Sequence, residues 1–316
     1  MAVGSQITTA RFNNLQARIE NILGNGSGSD GYGQTVQSNQ ITFGTEILAA
    51  TMADLYRDMT YARIHQTGVV PSQIAPITSG NVVAEETSFV VEDDGDLLTD
   101  PDGTKKGIAD FENLMNTITA DKFLCADAQA TVQSAITSVR TTSWNGKLVH
   151  EITVTFDDEN HRRHFFNSGG QIRFSANISG GSGDKTNDWR IILQNIKTVY
   201  FDYTATYSFG GSGTGSAIGS YELEQGYTPV FSKTGSGAYA LYSANSYTIE
   251  ARAPDYVNSA NQGARIQFRI TFDDASLDRT VDNDVNGTLT STVQVRRASG
   301  TYVDVDAPNF TNTRVL

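Results

Sequence analysis

Cysteine is almost missing from this chain: Cys125 is the only one in 316 residues, so there is no disulfide framework and no cysteine-based metal site. Long apolar runs are missing as well. None approaches the roughly 18 residues that a bilayer span needs. The first residues show no basic, then apolar, then small-residue signal pattern, so a chain made and folded in the cytoplasm is expected. Positive charge is scarce. With 23 Lys and Arg against 35 Asp and Glu, the net charge is −12, a field that repels phosphate and anionic headgroups. Neither nucleic acid nor membrane is therefore an expected partner.

Catalytic signatures are missing too. No Gly-x-Ser-x-Gly elbow, Walker loop or His-Glu-x-x-His occurs. The glycines of Gly24–Gly28 have no strand before them and no helix start after them, so they do not form a dinucleotide loop. Carboxylate pairs are common but none is set apart by its context, as a glycosidase pair would be by its spacing in the fold. No catalytic residue, cofactor or metal ligand is assigned on this basis, and a non-enzymatic protein is expected.

What the chain does have is β-type material. Hydrophobic content is 38%, with 29 Gly, 13 Tyr and 15 Phe, a mix that suits strands, many turns and a wet surface. The clearest pattern runs over Lys147–Ile178. Leu148, His150, Ile152, Val154 and Phe156 alternate with polar positions, then Ile172, Phe174, Ala176 and Ile178 do the same. Period two with polar outward positions marks half-buried antiparallel strands. A second copy follows at Arg265–Arg297, where Ile266, Phe268, Ile270 and Phe272 alternate, and in both copies the first strand closes on Thr-Phe-Asp-Asp. Asn145-Gly146 predicts a tight hairpin that pairs Ile136–Trp144 with Lys147–Phe156.

Helical periodicity is concentrated in the N-terminal part. Phe12, Leu15, Ile19 and Ile22 form a stripe over residues 8–24, with Thr8 or Thr9 as cap and Gly24 as stop. A second helix fits Thr45–His65, with Leu48, Met52, Leu55, Met59 and Ala62 on one face and Gly68 after it. A third fits Ile108–Ala126 and a short fourth Asp188–Ile196. Further strands are expected at Val199–Tyr207 and Tyr247–Ala253, Phe209–Gly219 reads as a flexible loop, and Tyr221–Lys233 stays ambiguous. The fold class is mainly β with N-terminal helices: an antiparallel β-sandwich of about seven or eight strands behind a helical and extended arm. The expected division is a helical docking arm over 1–68, an extended linker with an acidic loop and a helix over 69–135, the sandwich over 136–303, and an extended tail over 304–316.

Several clusters were weighed for chemistry. His161 and His164 flank Arg162 and Arg163, and on a helix they could share a metal, but here they read as a loop that makes contacts. The acidic runs Asp93–Asp96 and Asp100–Gly103 lack the closing Glu of a calcium loop, so they, Asp157-Asp158 and Asp273-Asp274 read as solvated turns, with Ca²⁺ as the alternative. Tyr207, Tyr221, Tyr227 and Tyr256 could stack on sugar rings, although packing is the commoner use.

Three phrases have a further meaning. RRHFFNSGGQIRFSA (Arg162–Ala176), ITFDD (Ile270–Asp274) and NGTLTSTVQVRRASG (Asn286–Gly300) resemble virion structural proteins of T-even-like cyanophages and related marine tailed phages. GYGQ (Gly31–Gln34) and ARIHQTG (Ala62–Gly68) are similar to the opening of the same proteins. The resemblance implies a multi-copy particle component of the neck, tail, baseplate or fibre-attachment region. Its partners would be copies of itself and other virion proteins, and it carries no catalytic residues over. The alternative is a tail-appendage module that binds a receptor or host surface glycan. On the scaffold reading, assembly contacts are expected from Phe12, Leu15, Ile19, Leu48, Met52, Leu55 and Met59 on the helices and from His161, Arg162, Arg163 and His164.

Overall fold

The computed structural model describes residues 7–44, 46–77, 90–91, 97–98, 107–276 and 282–316. The chain divides into two compact units, one made of residues 1–130, 163–168 and 298–305, the other of 131–162, 169–297 and 306–316. Among the described residues no helix is long and apolar enough to cross a membrane.

The first unit is built on α1 (Thr9–Glu20), α2 (Ala49–Thr67) and α3 (Ile108–Ala120). Between α2 and α3 lies a short antiparallel pair, β1 (Val90–Val91) and β2 (Leu97–Leu98). The remainder of the acidic stretch Glu92–Gly103 lies outside the described residues. Thr8 caps α1, its Oγ1 accepting from Arg11 N, as its small hydroxyl side chain allows. α2 ends at Gly68 in the left-handed conformation (φ 78°) that closes a helix without Cβ strain. Phe12, Leu15, Ile19, Met52, Leu55, Met59, Ala62, Phe111, Leu114, Met115 and Ile118 are all buried and form the core. A bidentate ion pair, Arg11 to Glu112 at 2.8 Å, joins α1 and α3. The extended chain after α1 is tied down as well. Buried Asp58 on α2 accepts from Gln37 N (3.0 Å) and Ser38 N (2.7 Å), and Asn13 exchanges two hydrogen bonds with the backbone of Ile41. The helices predicted for an arm therefore share one core with the helix predicted for the linker.

The second unit holds two antiparallel sheets of five strands, which gives ten strands where the sequence suggested seven or eight. The elements from β3 onward are, in order, β3 (Ala130–Arg140), β4 (Gly146–Thr155), α4 (Glu159–Asn167), whose residues from Arg163 belong to the first unit, β5 (Gln171–Ser179), α5 (Asp184–Ile196), β6 (Val199–Phe201), β7 (Thr206–Ser208), β8 (Thr228–Thr234), β9 (Ser246–Arg252), β10 (Arg265–Asp274), β11 (Thr288–Ala298) and β12 (Asn309–Arg314). One sheet runs β12-β4-β10-β9-β8 and the other β3-β11-β5-β6-β7. Phe268 of the first sheet meets Phe174 and Phe201 of the second with ring centres 4.9 Å apart, so the alternating apolar faces close on each other as a sandwich.

The sequence repeat is used symmetrically. The first strands of the two copies, β4 and β10, pair with each other, and so do the second strands, β5 and β11. Ile152 and Phe268, which both stand four residues before the phenylalanine of Thr-Phe-Asp-Asp, lie directly opposite one another in the ladder. The two copies thus meet about a local two-fold.

Several expectations fail for identifiable reasons. Asn145-Gly146 does not form a hairpin: β3 and β4 belong to different sheets, and Trp144 bridges to Val285 instead. A type I′ turn needs positive φ at both central residues, and only Gly146 has it (φ 86°). The polar segment between β4 and β5 is the helix α4, and it crosses between sheets rather than joining paired strands. Phe209–Gly219 is stitched to its surroundings by backbone bonds: Ser212 N to Asn195 O, Thr214 N to Ser232 O, and Ser216 N to Thr206 O. The predicted strand Val199–Tyr207 breaks at Asp202, whose Oδ1 accepts from Thr204 N and Ala205 N and turns the chain. The tail from Asp304 contains β12, which pairs with β4.

Candidate functional site

Most of the side chains that the sequence nominates for assembly are turned inward. Phe12, Leu15, Ile19, Met52, Leu55 and Met59 lie in the core of the helical unit, where they hold the helices to one another. Leu48 is the exception at 56% exposure, and Phe43, just before it in the chain, reaches 92%. Val69 and Val70, after α2, are exposed as well. In the sandwich unit, exposed apolar side chains include Val132 and Val139 on β3, which ends its sheet, and Phe209 beyond β7.

The His161–His164 cluster lies on α4 and its members point to different tasks. Arg162 is 1% exposed; its guanidinium donates to Ser220 Oγ (3.0 Å), Ser220 O (2.6 Å) and Gln262 O (2.8 Å), which draws two loops of the sandwich unit together. His161 donates from Nε2 to Asp306 O (2.9 Å). Arg163 reaches Gly28 O (3.1 Å) and Asp30 (3.5 Å), while His164 donates from Nδ1 to Gly31 O (2.9 Å). The histidines therefore spend a ring nitrogen on backbone carbonyls rather than converging on a metal. Among the described residues no three His, Cys, Asp or Glu side chains gather as an ion site.

Three of the phrases that carry the phage resemblance meet inside the helical unit. Buried Tyr32 of GYGQ donates to Lys122 O (2.5 Å) and accepts from Gln66 Nε2 of ARIHQTG (3.1 Å). Its ring stands edge-on to His65, 4.9 Å between centres, and His65 Nε2 donates to Ser168 O (3.1 Å). Burial pushes the Tyr32 phenol up, so it stays a donor at any ordinary pH. Gly33 has φ 74°, and a Cβ there would come within 2.9 Å of the His164 ring. The phrases are thus packing devices: glycine allows the close approach, and Tyr, His and Gln satisfy one another within it.

Two polar clusters are sealed in the sandwich unit, and one of them corrects the reading of Asp273-Asp274 as a solvated turn, because Asp274 ends β10 and is 1% exposed. His150 on β4 lies between Ser291 Oγ on β11 (Nδ1, 2.9 Å) and Asn312 Oδ1 on β12 (Nε2, 2.8 Å). Asn312 turns its amide nitrogen to Thr137 O (3.1 Å), so its oxygen faces the ring, His150 carries the proton on Nε2, and Ser291 donates to Nδ1. Burial holds the imidazole below its ordinary value, against the Asn312 bond that raises it. Serine, imidazole and amide stand in the order of a nucleophile, base and orienting group. Ser291 is buried at 1% exposure, however, so a substrate cannot reach it and the trio serves as a polar bridge between the two sheets. The second cluster is Lys185 on α5 with Asp274 at the end of β10, 2.7 Å apart and 1% and 0% exposed. A lone His in an alternating strand and a lone Lys in a helix give no sequence signal of this kind.

The tyrosines considered for sugar stacking are largely occupied. Tyr227 is covered by the guanidinium groups of Arg269 (4.0 Å) and Arg252 (4.5 Å), and Tyr207 stacks on Tyr200 (5.5 Å). No protein-family model, curated protein or solved structure matches the chain.

Proposed function

We propose that this chain is a non-enzymatic structural subunit of a tailed-phage virion, present in several copies in the neck, tail, baseplate or fibre-attachment region. The observation that carries the reading is the ordered set of resembling phrases, GYGQ, ARIHQTG, RRHFFNSGGQIRFSA and NGTLTSTVQVRRASG. The fold is compatible with it: a sandwich with a long edge strand and a helical unit with outlying apolar side chains offers places where neighbours can dock. β3 ends its sheet over eleven residues, with Val132 and Val139 exposed. Phe43 and Leu48 supply apolar anchors that lie exposed among the described residues.

Purified phage particles from the host that makes the chain should contain it in stoichiometric amount. Particles that lack it would end the reading. Because residues 12–62 form the core of the helical unit, deleting the N-terminal region tests folding and not docking. Phe43→Ser with Leu48→Ser is the cleaner variant. Incorporation is expected to drop while the thermal melt of the free protein is unchanged. A second reading, a glycan-binding module, rests on Phe209, 79% exposed, beside the Tyr200–Tyr207 stack. Binding of the purified chain to host surface polysaccharide, lost in Phe209→Ser, would favour it.

A further inference from the structure

The buried pair in the sandwich unit is arranged for more than a salt bridge. Lys185 Nζ lies 2.7 Å from Asp274 Oδ2, and Oδ2 has no donor aligned on it as a hydrogen bond. The ammonium's aligned bond goes instead to Asn283 O, at 3.2 Å. The other carboxyl oxygen, Oδ1, accepts from the Trp189 indole N–H at 3.4 Å. Gly146, opposite Asp274 in the ladder, also donates its backbone N–H to this carboxyl. Two N–H groups therefore draw electrons from the Asp274 carboxyl while an amine faces it.

The walls exclude water. Trp189 is fully buried and packs on Trp144 (5.2 Å between ring centres) and Phe272 (6.3 Å), and Phe272 on Tyr247 (5.2 Å). Full charges in such a place lose their hydration, and for the Asp274 carboxyl that loss favours the uncharged form. The neutral amine is a nucleophile and the neutral acid an electrophile. Burial does raise the Asp274 acid toward its protonated form, against Lys185, which lowers it. A second buried acid lies on the same helix. Asp188 lies one helical turn beyond Lys185 on the same face of α5, is fully buried, and holds Oδ1 on Ala238 N and Tyr239 N at 2.8 Å. Its Oδ2 has no hydrogen-bond partner.

We propose that Lys185 and Asp274 close an intramolecular isopeptide bond. Nζ attacks Cγ of the protonated carboxyl, forming the C–N bond. The Cγ–Oδ2 bond breaks and Oδ2 departs as water, carrying the acid proton and one proton from the amine. Oδ1 stays behind as the amide oxygen, with Trp189 Nε1 still donating to it. No oxidant, reductant or cofactor enters the balance. Pre-set contact replaces a bimolecular encounter, which is the largest part of what such a step needs. The bond would tie α5 to the last residue of β10 covalently, and it does not depend on the virion reading.

The test is the intact mass of the purified, denatured wild-type chain, followed by a tryptic map. The expected mass is one water below the sequence mass, with a branched peptide joining Lys185 to Asp274 and no cleavage after Lys185. Lys185→Met restores the full mass less only the substitution. A wild-type chain at full mass, with Lys185 and Asp274 in separate linear peptides, overturns the proposal. So does a missing water located elsewhere in the map. Neither outcome requires a variant to fold.

Discussion

Asp158 and Asp274 close the same four-residue phrase and have opposite fates. In the first copy the strand stops at Thr155, the phrase leaves the sheet, and Asp158 is an exposed helix cap whose Oδ1 accepts from His161 N at 2.7 Å. In the second copy the ladder continues through Asp274, which sits opposite Gly146 and turns its carboxyl inward to Lys185. Two things bear on the difference. After Asp158 comes Glu-Asn-His-Arg-Arg-His, a run that continues as the helix α4. Opposite Asp274 the partner has no side chain, which leaves room for a carboxylate and its donors. A repeated sequence thus sets the strand and its face, while its chemistry is set by what each copy packs against.

The comparison breaks most visibly at the buried copy. Lys185→Met leaves Asp274 enclosed without its partner, and loss of one partner of a buried pair costs about 3–5 kcal/mol. Urea unfolding followed by fluorescence of Trp144 and Trp189 should show this as a lower midpoint. Adding Asp274→Leu to that variant removes the orphaned polar group and should return part of the loss. If Lys185→Met unfolds at the wild-type midpoint, the second copy is no more demanding than the first.

A smaller effect separates the copies at another equivalent pair, His150 and Ile266, six residues before the two phenylalanines. Buried His150 titrates below its ordinary 6.5. As pH falls under that value the unfolded chain binds a proton that the folded chain refuses, so stability declines with falling pH until the lowered folded value is reached. Above 6.5 this group contributes no slope. The ceiling is about 1.4 kcal/mol per pH unit for one proton. His150→Gln keeps hydrogen-bonding groups between Ser291 and Asn312 but cannot titrate. Its unfolding free energy should be flatter than wild type between the two limits, and parallel curves would show that His150 is not the group responsible.

Much of the sandwich was readable because it rests on alternation. His150, Ile152, Val154, Ile172, Phe174, Ile266, Phe268 and Ile270 are buried on the faces the pattern assigned. Helix ends were readable where a small residue does the capping, as at Thr8 and Gly68. Strand partners were not. Asn145-Gly146 has the composition of a hairpin, but β3 and β4 each find a better apolar match in separate sheets, with β11 and β10. β12, Asn-Phe-Thr-Asn-Thr-Arg, is a polar edge strand whose pairing with β4 leaves no alternation to read. The direction of the helical stripes was legible and their partner was not: Phe12 and Met59 look the same in sequence whether they meet a neighbour or each other's helices. The buried clusters were invisible for a simpler reason. Lys185 and Asp274, or His150 and Ser291, are far apart in the chain, and only the register of the ladders brings them together.

The smallest expected effect lies at the exposed copy. Asp158→Ala removes the acceptor for His161 N at the start of α4 and should cost about 1 kcal/mol, the usual worth of an N-cap. Two further bonds limit the damage: Asp157 N donates to His161 Nδ1 at 3.2 Å, and Arg162 N to Asp158 O, which the substitution keeps. Asp158→Asn, which retains an acceptor, should fall within a few tenths of wild type, since Asn caps about as well as Asp. Both variants can be read in the same urea series as Lys185→Met. A cap loss as large as the Lys185 effect would mean that α4, which also carries Arg162, holds the sandwich loops more firmly than a surface helix start should. The two aspartates would then matter equally despite their different burial.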